Sequence, residues 1–196
     1  EFRRVLFRST LQQDASSKLN FAPQKTMRIA QQLYEGVNIK GQGTVGLITY
    51  LRTDSTRISV EADAAAKEYI KEAYGAEFVG SGTVAKKDDK KVQDAHEAIR
   101  PTYMTNSPAS IKDELSRDQF RLYQLIWNRF MASRMAPAKY ENTSVKIAAG
   151  DYRFNASASK IAFDGFLSVY NINNEKSEGN VMLKSIDEDT KLTLND

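Results

Sequence analysis

The segment Ile48 to Ser55 (ITYLRTDS) places a tyrosine and an arginine two residues apart. The hydroxyl of a tyrosine is a poor nucleophile at neutral pH, because its pKa is about 10. It can attack a phosphodiester where cations stabilise the charge that develops on the phosphoryl oxygens. In an extended segment Tyr50 and Arg52 share a face, so the guanidinium can hold a phosphate beside the phenol. Composition alone nevertheless favours a core tyrosine on a buried strand, followed by a capped turn.

A second polar segment, Asp94 to Thr102 (DAHEAIRPT), contains the only histidine of the chain. The imidazole of His96 can hydrogen-bond a phosphate oxygen or donate a proton to a leaving ribose oxygen. Arg100 can contact a phosphate, or it can lock the turn through Asp94 or Glu97. A lone histidine in a polar loop is more commonly an ordinary surface residue. One histidine with scattered carboxylates lacks the spacing of metal ligands, so we predict no metal site in this chain.

Taken together, ITYLRTDST and QDAHEAIRPT resemble motifs of the topoisomerase I branch of the bacterial type IA DNA topoisomerases. Further similar segments follow in family order and extend the resemblance from Thr10 to Tyr170: Thr10 to Glu35, GTVGLITY, LYQLIWNRFMASRMAPAKYE and FDGFLSV. Leu51 stands where methionine is commoner in the family. The sister topoisomerase III branch typically has a proline at that position and a different histidine motif. The chain is therefore expected to be an internal fragment of a topoisomerase I.

The resemblance implies an enzyme that cuts one DNA strand, passes another strand through the gap and reseals the cut without ATP. Tyr50 would be the nucleophile that forms a 5′-phosphotyrosine link, and Arg52 would clamp the phosphate. His96 would contact the scissile phosphate or an adjacent one. Further positions are expected to support the site or to contact DNA: Gln31, Glu35, Thr49, Thr53, Asp54 and Arg100.

The cofactor implied by the resemblance is Mg²⁺, which the family binds in an upstream Toprim domain that this segment does not include. The chain by itself is therefore expected to be inactive. The implied partners are single-stranded DNA and negatively supercoiled duplex DNA, bound by a monomer in the bacterial cytoplasm at the nucleoid. The chain has no cysteine, which excludes disulfides and the family's zinc ribbons. No apolar run approaches the roughly 20 residues that span a bilayer, so no membrane partner is expected.

Hydrophobic periodicity predicts the elements that must position these residues. Helices are predicted at Thr10 to Leu19, Pro23 to about Glu35, Val60 to Tyr74 and Ser116 to Met135, with a short one after Ser107. Gly36 is expected to end the second helix, and Ser59 to cap the third. Strands are predicted at Val45 to Leu51, Thr143 to Ile147, Tyr152 to Ser157, Phe166 to Ile172 and Asp189 to Asp196.

These elements predict an α+β fold. The resemblance makes residues 10–137 a mostly helical, winged-helix-like tyrosine domain, and residues 138–170 the β-strands of a toroidal arch. Residues 171–196 would be a linker and the start of a truncated segment. Residues 1–9 (EFRRVLFRS) look like a translated sequencing adapter and are expected to lie outside the fold. They carry a net charge of +2, so the formal charge of +3 falls to +1 without them.

Three other interpretations remain open from the sequence. A non-catalytic winged-helix DNA-binding module explains the first helix pair and the mild positive charge, but not the two motifs together. A tyrosine recombinase would place Arg and His-x-x-Arg before a C-terminal tyrosine, whereas Tyr50 precedes His96 here. A purely structural domain would be favoured if Tyr50, Arg52 and His96 were far apart.

Overall fold

The structure, a computed structural model, describes residues 5–81 and 96–170. Within them, four α-helices and two small antiparallel sheets confirm the α+β class. The described residues divide into a helical unit, which runs to Pro137 and resumes at Gly165–Tyr170, and a hairpin unit over Ala138–Asp164. The switch from helices to strands coincides with this division. Asp94, the linker after Tyr170 and the strand predicted at its end lie outside the described residues.

The first two helices form a packed pair. Helix α1 spans Arg8–Leu19 and helix α2 spans Pro23–Glu35. Helix α2 begins at a proline, whose fixed φ suits the first turn, and it ends at Gly36 as predicted. The two helices bury Leu11, Ala15, Ile29, Ala30 and Leu33 in the core.

Residues 5–9 pack into the helical unit instead of lying outside it. Val5 and Leu6 are buried, and the carbonyl of Leu6 accepts a hydrogen bond from the Ile99 amide at 2.8 Å. The amide of Arg8 donates to the Thr53 carbonyl at 3.0 Å, and helix α1 begins two residues earlier than predicted. Val5 and Leu6 are therefore part of the core, and the expectation that this segment lies outside the fold is wrong for residues 5–9. That the segment derives from a sequencing adapter stays a prediction.

The strand predicted over Val45 to Leu51 is wrong as a regular element. Strands β1 (Val37–Ile39) and β2 (Gly43–Val45) form a short hairpin that stops before it. Leu47, Ile48 and Leu51 of the predicted strand are buried and Tyr50 is exposed, and only a single bridge joins Ile48 to Pro101. The ladder does not extend past this bridge, because the Arg100 amide bonds to the Thr49 hydroxyl and the Leu47 amide bonds to the Leu33 carbonyl.

Two capped helices complete the helical unit. Helix α3 spans Val60–Ala73, and the Ser59 hydroxyl caps it by accepting from the Ala62 amide at 3.2 Å. Helix α4 spans Arg117–Arg134 and begins at a capping box formed by Ser116 and Gln119. Each helix ends one residue earlier than predicted. The short helix expected after Ser107 is a series of turns with one 3₁₀ turn at Lys112–Glu114.

The hairpin unit consists of strands β3 (Lys139–Ala149) and β4 (Tyr152–Phe163). Both strands are longer than predicted, and a two-residue turn at Gly150 joins them. Gly150 has a φ of 60°, which two-residue hairpin turns require and glycine adopts without strain.

The strand predicted from Phe166 to Ile172 is wrong over its described part, because Gly165–Ser168 forms a 3₁₀ turn. Gly165 has a φ of 51°, and a β-carbon there would lie 2.6 Å from the Ala136 carbonyl oxygen. The Phe166 amide donates to that same carbonyl at 3.0 Å. Extended backbone is therefore interrupted where the chain returns to the helical unit.

Tyr170 then anchors the chain, accepting from Arg129 Nη1 at 2.8 Å and donating to Asp14 Oδ2 at 3.2 Å.

A buried ion pair joins helices α3 and α4. Arg134 Nη1 donates to Asp63 Oδ1 at 3.0 Å, and both residues are almost fully buried. Lys67 Nζ lies 2.7 Å from the second carboxylate oxygen of Asp63. The carboxylate therefore neutralises a guanidinium that would otherwise be buried without a counter-charge.

We expect Asp63→Asn to lower the free energy of unfolding by about 3–5 kcal/mol, because Arg134 keeps its charge but loses its partner. Urea titration followed by the fluorescence of the single tryptophan measures this loss. Asp118→Asn is the matched control, since it breaks a 2.7 Å pair with Lys25 whose side chains are exposed. That change should be too small to resolve. Equal losses in the two variants would contradict a special role for the buried pair.

Candidate active site around Tyr50

Tyr50 stands on the surface, directly after the buried segment that pairs with the second motif. Its side chain is 37% exposed, whereas the next residue, Leu51, is 1% exposed. Exposure continues to alternate: Arg52 and Asp54 are exposed, and Thr53 between them is buried. The two-residue period expected for this segment therefore holds past the bend at Leu51, and it leaves the phenol and the guanidinium both accessible to a ligand.

The structure brings His96 against Tyr50. Their rings are nearly parallel, with an interplanar angle of 27° and centroids 5.2 Å apart. The ring of Tyr34, near the end of helix α2, meets the Tyr50 ring edge-on at 5.6 Å. Both geometries are favoured by the aromatic quadrupole. The rings of Tyr34, Tyr50 and His96 therefore lie in a row. The phenol of Tyr50 and the imidazole of His96 are adjacent, so one phosphate group could contact both.

Thr49 holds the two motifs together. Its hydroxyl donates to the Ala98 carbonyl at 2.8 Å and accepts from the Arg100 amide at 3.0 Å. The Thr49 amide in turn donates to the Arg100 carbonyl at 3.0 Å. Because Ala98 follows His96 by two residues, these bonds set where the imidazole lies relative to Tyr50. Thr49 therefore joins the two motifs through bonds to backbone groups, and its supporting role in the site stays a prediction.

Arg52 lines an open cleft of about 630 Å³. Arg8 and Arg28 also line this cleft, and no carboxylate does in the part of the chain that the structure describes. Gln31 belongs to the same wall and donates to Glu35 Oε1 at 2.5 Å, one turn further along helix α2. Clustered guanidiniums create a positive potential suited to phosphate groups. Arg28 was missed in the sequence, although its spacing of three from Gln31 places both on one helix face.

Two of the expected site residues have structural partners instead. Arg100 Nε donates to Glu97 Oε2 at 2.6 Å, and its Nη1 donates to the Pro101 carbonyl at 3.0 Å. Arg100 therefore locks its own turn through Glu97, one of the two possibilities left open by the sequence. Thr53 is buried, and its hydroxyl accepts from the Ser55 amide at 3.0 Å, so it shapes the loop after Arg52.

The described residues do not fit a divalent cation. Across residues 5–81 and 96–170, no three His, Cys, Asp or Glu side chains come together as a metal site requires. In the same part of the chain, no helix is long and apolar enough to cross a membrane.

Comparison with known proteins identifies the class to which this arrangement belongs. A family model described as DNA topoisomerase matches residues 3–196, and the chain belongs to that family, as one of its bacterial type IA members. It is similar to a solved structure of full-length topoisomerase I from Thermotoga maritima, with 43% sequence identity and a TM-score of 0.76. The match covers 94% of the chain but only 29% of the Thermotoga protein.

Because His96 is the only histidine, its imidazole gives a single set of NMR signals that reports on the site. Tyr50→Leu should move the carbon-bound imidazole protons downfield, since the ring current of the stacked phenol is lost. We expect Thr49→Val to produce part of that shift, because the hydroxyl that joins the two motifs is gone. Thr49→Ser, which keeps a hydroxyl, is the control and should leave the signals near their original positions. Unchanged signals in Thr49→Val would contradict the joining role of Thr49.

Proposed function

We propose that this chain is part of a longer topoisomerase I in which Tyr50 cuts and rejoins one DNA strand. The phenol oxygen attacks a backbone phosphorus and forms a 5′-phosphotyrosine bond. The bond from phosphorus to the 3′ oxygen breaks, and that oxygen leaves as a hydroxyl after taking a proton. The reverse reaction reseals the strand, so the bond energy is kept and ATP is not needed.

The contact between the rings of Tyr50 and His96 is the observation that carries this proposal. Motifs well apart in sequence meet at an exposed tyrosine, and the arginine two residues after it lines a cleft whose described wall residues include no carboxylate. In the proposed reaction Arg52 clamps the phosphate that Tyr50 attacks. His96 hydrogen-bonds the same phosphate or its neighbour. Glu35 supports the site through Gln31, and the exposed Asp54 contacts the loop or the DNA.

The proposed substrates are single-stranded DNA and negatively supercoiled duplex DNA, acted on by a monomer in the bacterial cytoplasm. Mg²⁺, which neutralises charge on the cleaved phosphate, would be held by a domain outside this chain. The 196-residue chain alone should therefore bind a single strand without relaxing supercoiled DNA. Relaxation by the isolated chain in Mg²⁺ would contradict this division of the active site.

In the longer enzyme, Tyr50→Phe should abolish the covalent adduct with DNA while leaving binding nearly unchanged. The substitution removes one exposed hydroxyl and keeps the ring that packs on Tyr34 and His96. The adduct is measured by denaturing the reaction and separating protein-linked DNA, and binding by titration with a short single strand. Tyr152→Phe is the control, since it removes a hydroxyl from another exposed tyrosine. An adduct that persists in Tyr50→Phe would show that another residue is the nucleophile.

Arg52→Ala should weaken single-strand binding to a similar degree for all sequences, because a guanidinium contacts phosphate and not bases. The slope of log Kd against log salt concentration should fall by about one, the loss of one phosphate contact. Arg153→Ala is the matched control, because that exposed arginine lies on strand β4 in the hairpin unit. Equal effects of the two substitutions would mean that binding follows net charge alone and not the cleft.

A further inference from the structure

A second open cleft, of about 620 Å³, borders the site, and among the described residues none that lines it is charged. Tyr34 lines this cleft, and its ring also contacts Tyr50. Thr49, which positions the second motif, is a further wall residue. We call this space the uncharged cleft. The uncharged cleft therefore adjoins the proposed nucleophile, as the cleft around Arg52 does. The two clefts differ in their linings, because arginines line the cleft around Arg52.

The walls of the uncharged cleft combine aromatic rings with hydroxyl groups. The side chains of Tyr34 and Tyr103 are 38% and 54% exposed, so both rings can receive a planar ligand. Thr102 belongs to the lining, and its hydroxyl oxygen is buried without a hydrogen-bond partner among the described residues. Buried hydroxyls usually have partners, so this hydroxyl is an exception beneath the wall of the cleft.

The uncharged cleft is held in shape by the core beneath it. Gln42, on its rim, exchanges two hydrogen bonds with the buried Asn106, at 2.9 and 3.2 Å. The Asn106 carbonyl accepts from the phenol of Tyr123 at 2.7 Å. Burial raises the pKa of Tyr123, so this phenol remains a donor at neutral pH. The cleft is thus built on a fixed network and needs little rearrangement to receive a ligand.

We infer that the uncharged cleft binds an unpaired nucleobase of the strand whose phosphate Tyr50 attacks. This inference rests on the proposed function. A base is planar, uncharged and edged with donors and acceptors, and bases stack on tyrosine rings in single-strand binding proteins. Phosphates next to such a base carry the charge that the arginine-lined cleft attracts. The uncharged cleft would then hold a base and the arginine-lined cleft the neighbouring phosphates of the same strand.

Titration of the 196-residue chain with a short single strand tests this, with fluorescence anisotropy as the readout. Tyr103→Ala should weaken binding by at least about fivefold, whereas Tyr103→Phe should bind almost as the original chain does. An oligonucleotide series with one abasic position at a time gives a second measure. One abasic position should weaken binding by a similar factor, and at that position Tyr103→Ala should add no further loss. Tyr152→Ala, which removes an exposed tyrosine from the hairpin unit, should have no effect.

The possible outcomes separate this inference from the proposed function. If Tyr103→Ala binds as tightly as the original chain while Arg52→Ala is weakened, the base site is wrong and the phosphate site survives. A loss with Tyr103→Ala that is the same for every abasic oligonucleotide also overturns the base site. If the free nucleoside competes as well as the strand, the cleft is a small-molecule site and the inference is wrong. If no single strand binds, the inference and the proposed function fail together.

Discussion

The hydrogen bonds of Thr49 are the interaction on which the arrangement around Tyr50 depends. They join Thr49 to a segment 51 residues further along the chain. A typical hydrogen bond contributes only about 1 kcal/mol to stability. Their importance lies in register, because a slip of one residue would turn alternate side chains to the opposite face. With the register fixed, His96 meets Tyr50.

Local charge distribution matters more here than the formal charge of the chain. A net charge of +3 is too small to indicate a nucleic-acid partner. Three arginines that line one cleft nevertheless concentrate positive potential beside the exposed tyrosine. The described residues that line the cleft bordered by Tyr34 and Tyr103 include no charged side chain. A nucleic-acid strand has the same division, with charge on its backbone and none on its bases. The surface around Tyr50 therefore matches a nucleic-acid strand in the sign of its charge and in the separation of charged from uncharged regions.

The sequence predicts the parts of the fold that are specified locally. The cap at Ser59, the end of helix α2 at Gly36 and the capped start of α4 each depend on a few neighbouring residues, and each is present. The strand over Val45 to Leu51 failed because the amides that would extend its ladder bond elsewhere, Leu47 to the Leu33 carbonyl and Arg100 to the Thr49 hydroxyl. The strand after Phe166 failed because Gly165 packs in a left-handed conformation against the Ala136 carbonyl.

The candidate site also combines features that the local sequence specifies with features that depend on tertiary contacts. Tyr50, Arg52 and His96 stand out by residue type and by resemblance, but only tertiary structure shows that two of these rings stack. Tyr34 and Arg28 carry no motif of their own and gain significance from what lies beside them. Their placement depends on helix α2 packing against the core, which no spacing in the sequence specifies.

The way in which the chain leaves and re-enters the helical unit has an evolutionary consequence. The Phe166 amide bonds to the Ala136 carbonyl, so the two ends of the excursion through Ala138–Asp164 are already adjacent. Tyr170 then fastens the returning chain to Asp14 and Arg129. Closing a chain between adjacent ends costs little extra entropy as the intervening segment grows. Insertions, deletions or exchange of whole strands can therefore accumulate between these ends while selection maintains the tyrosine and its neighbours unchanged.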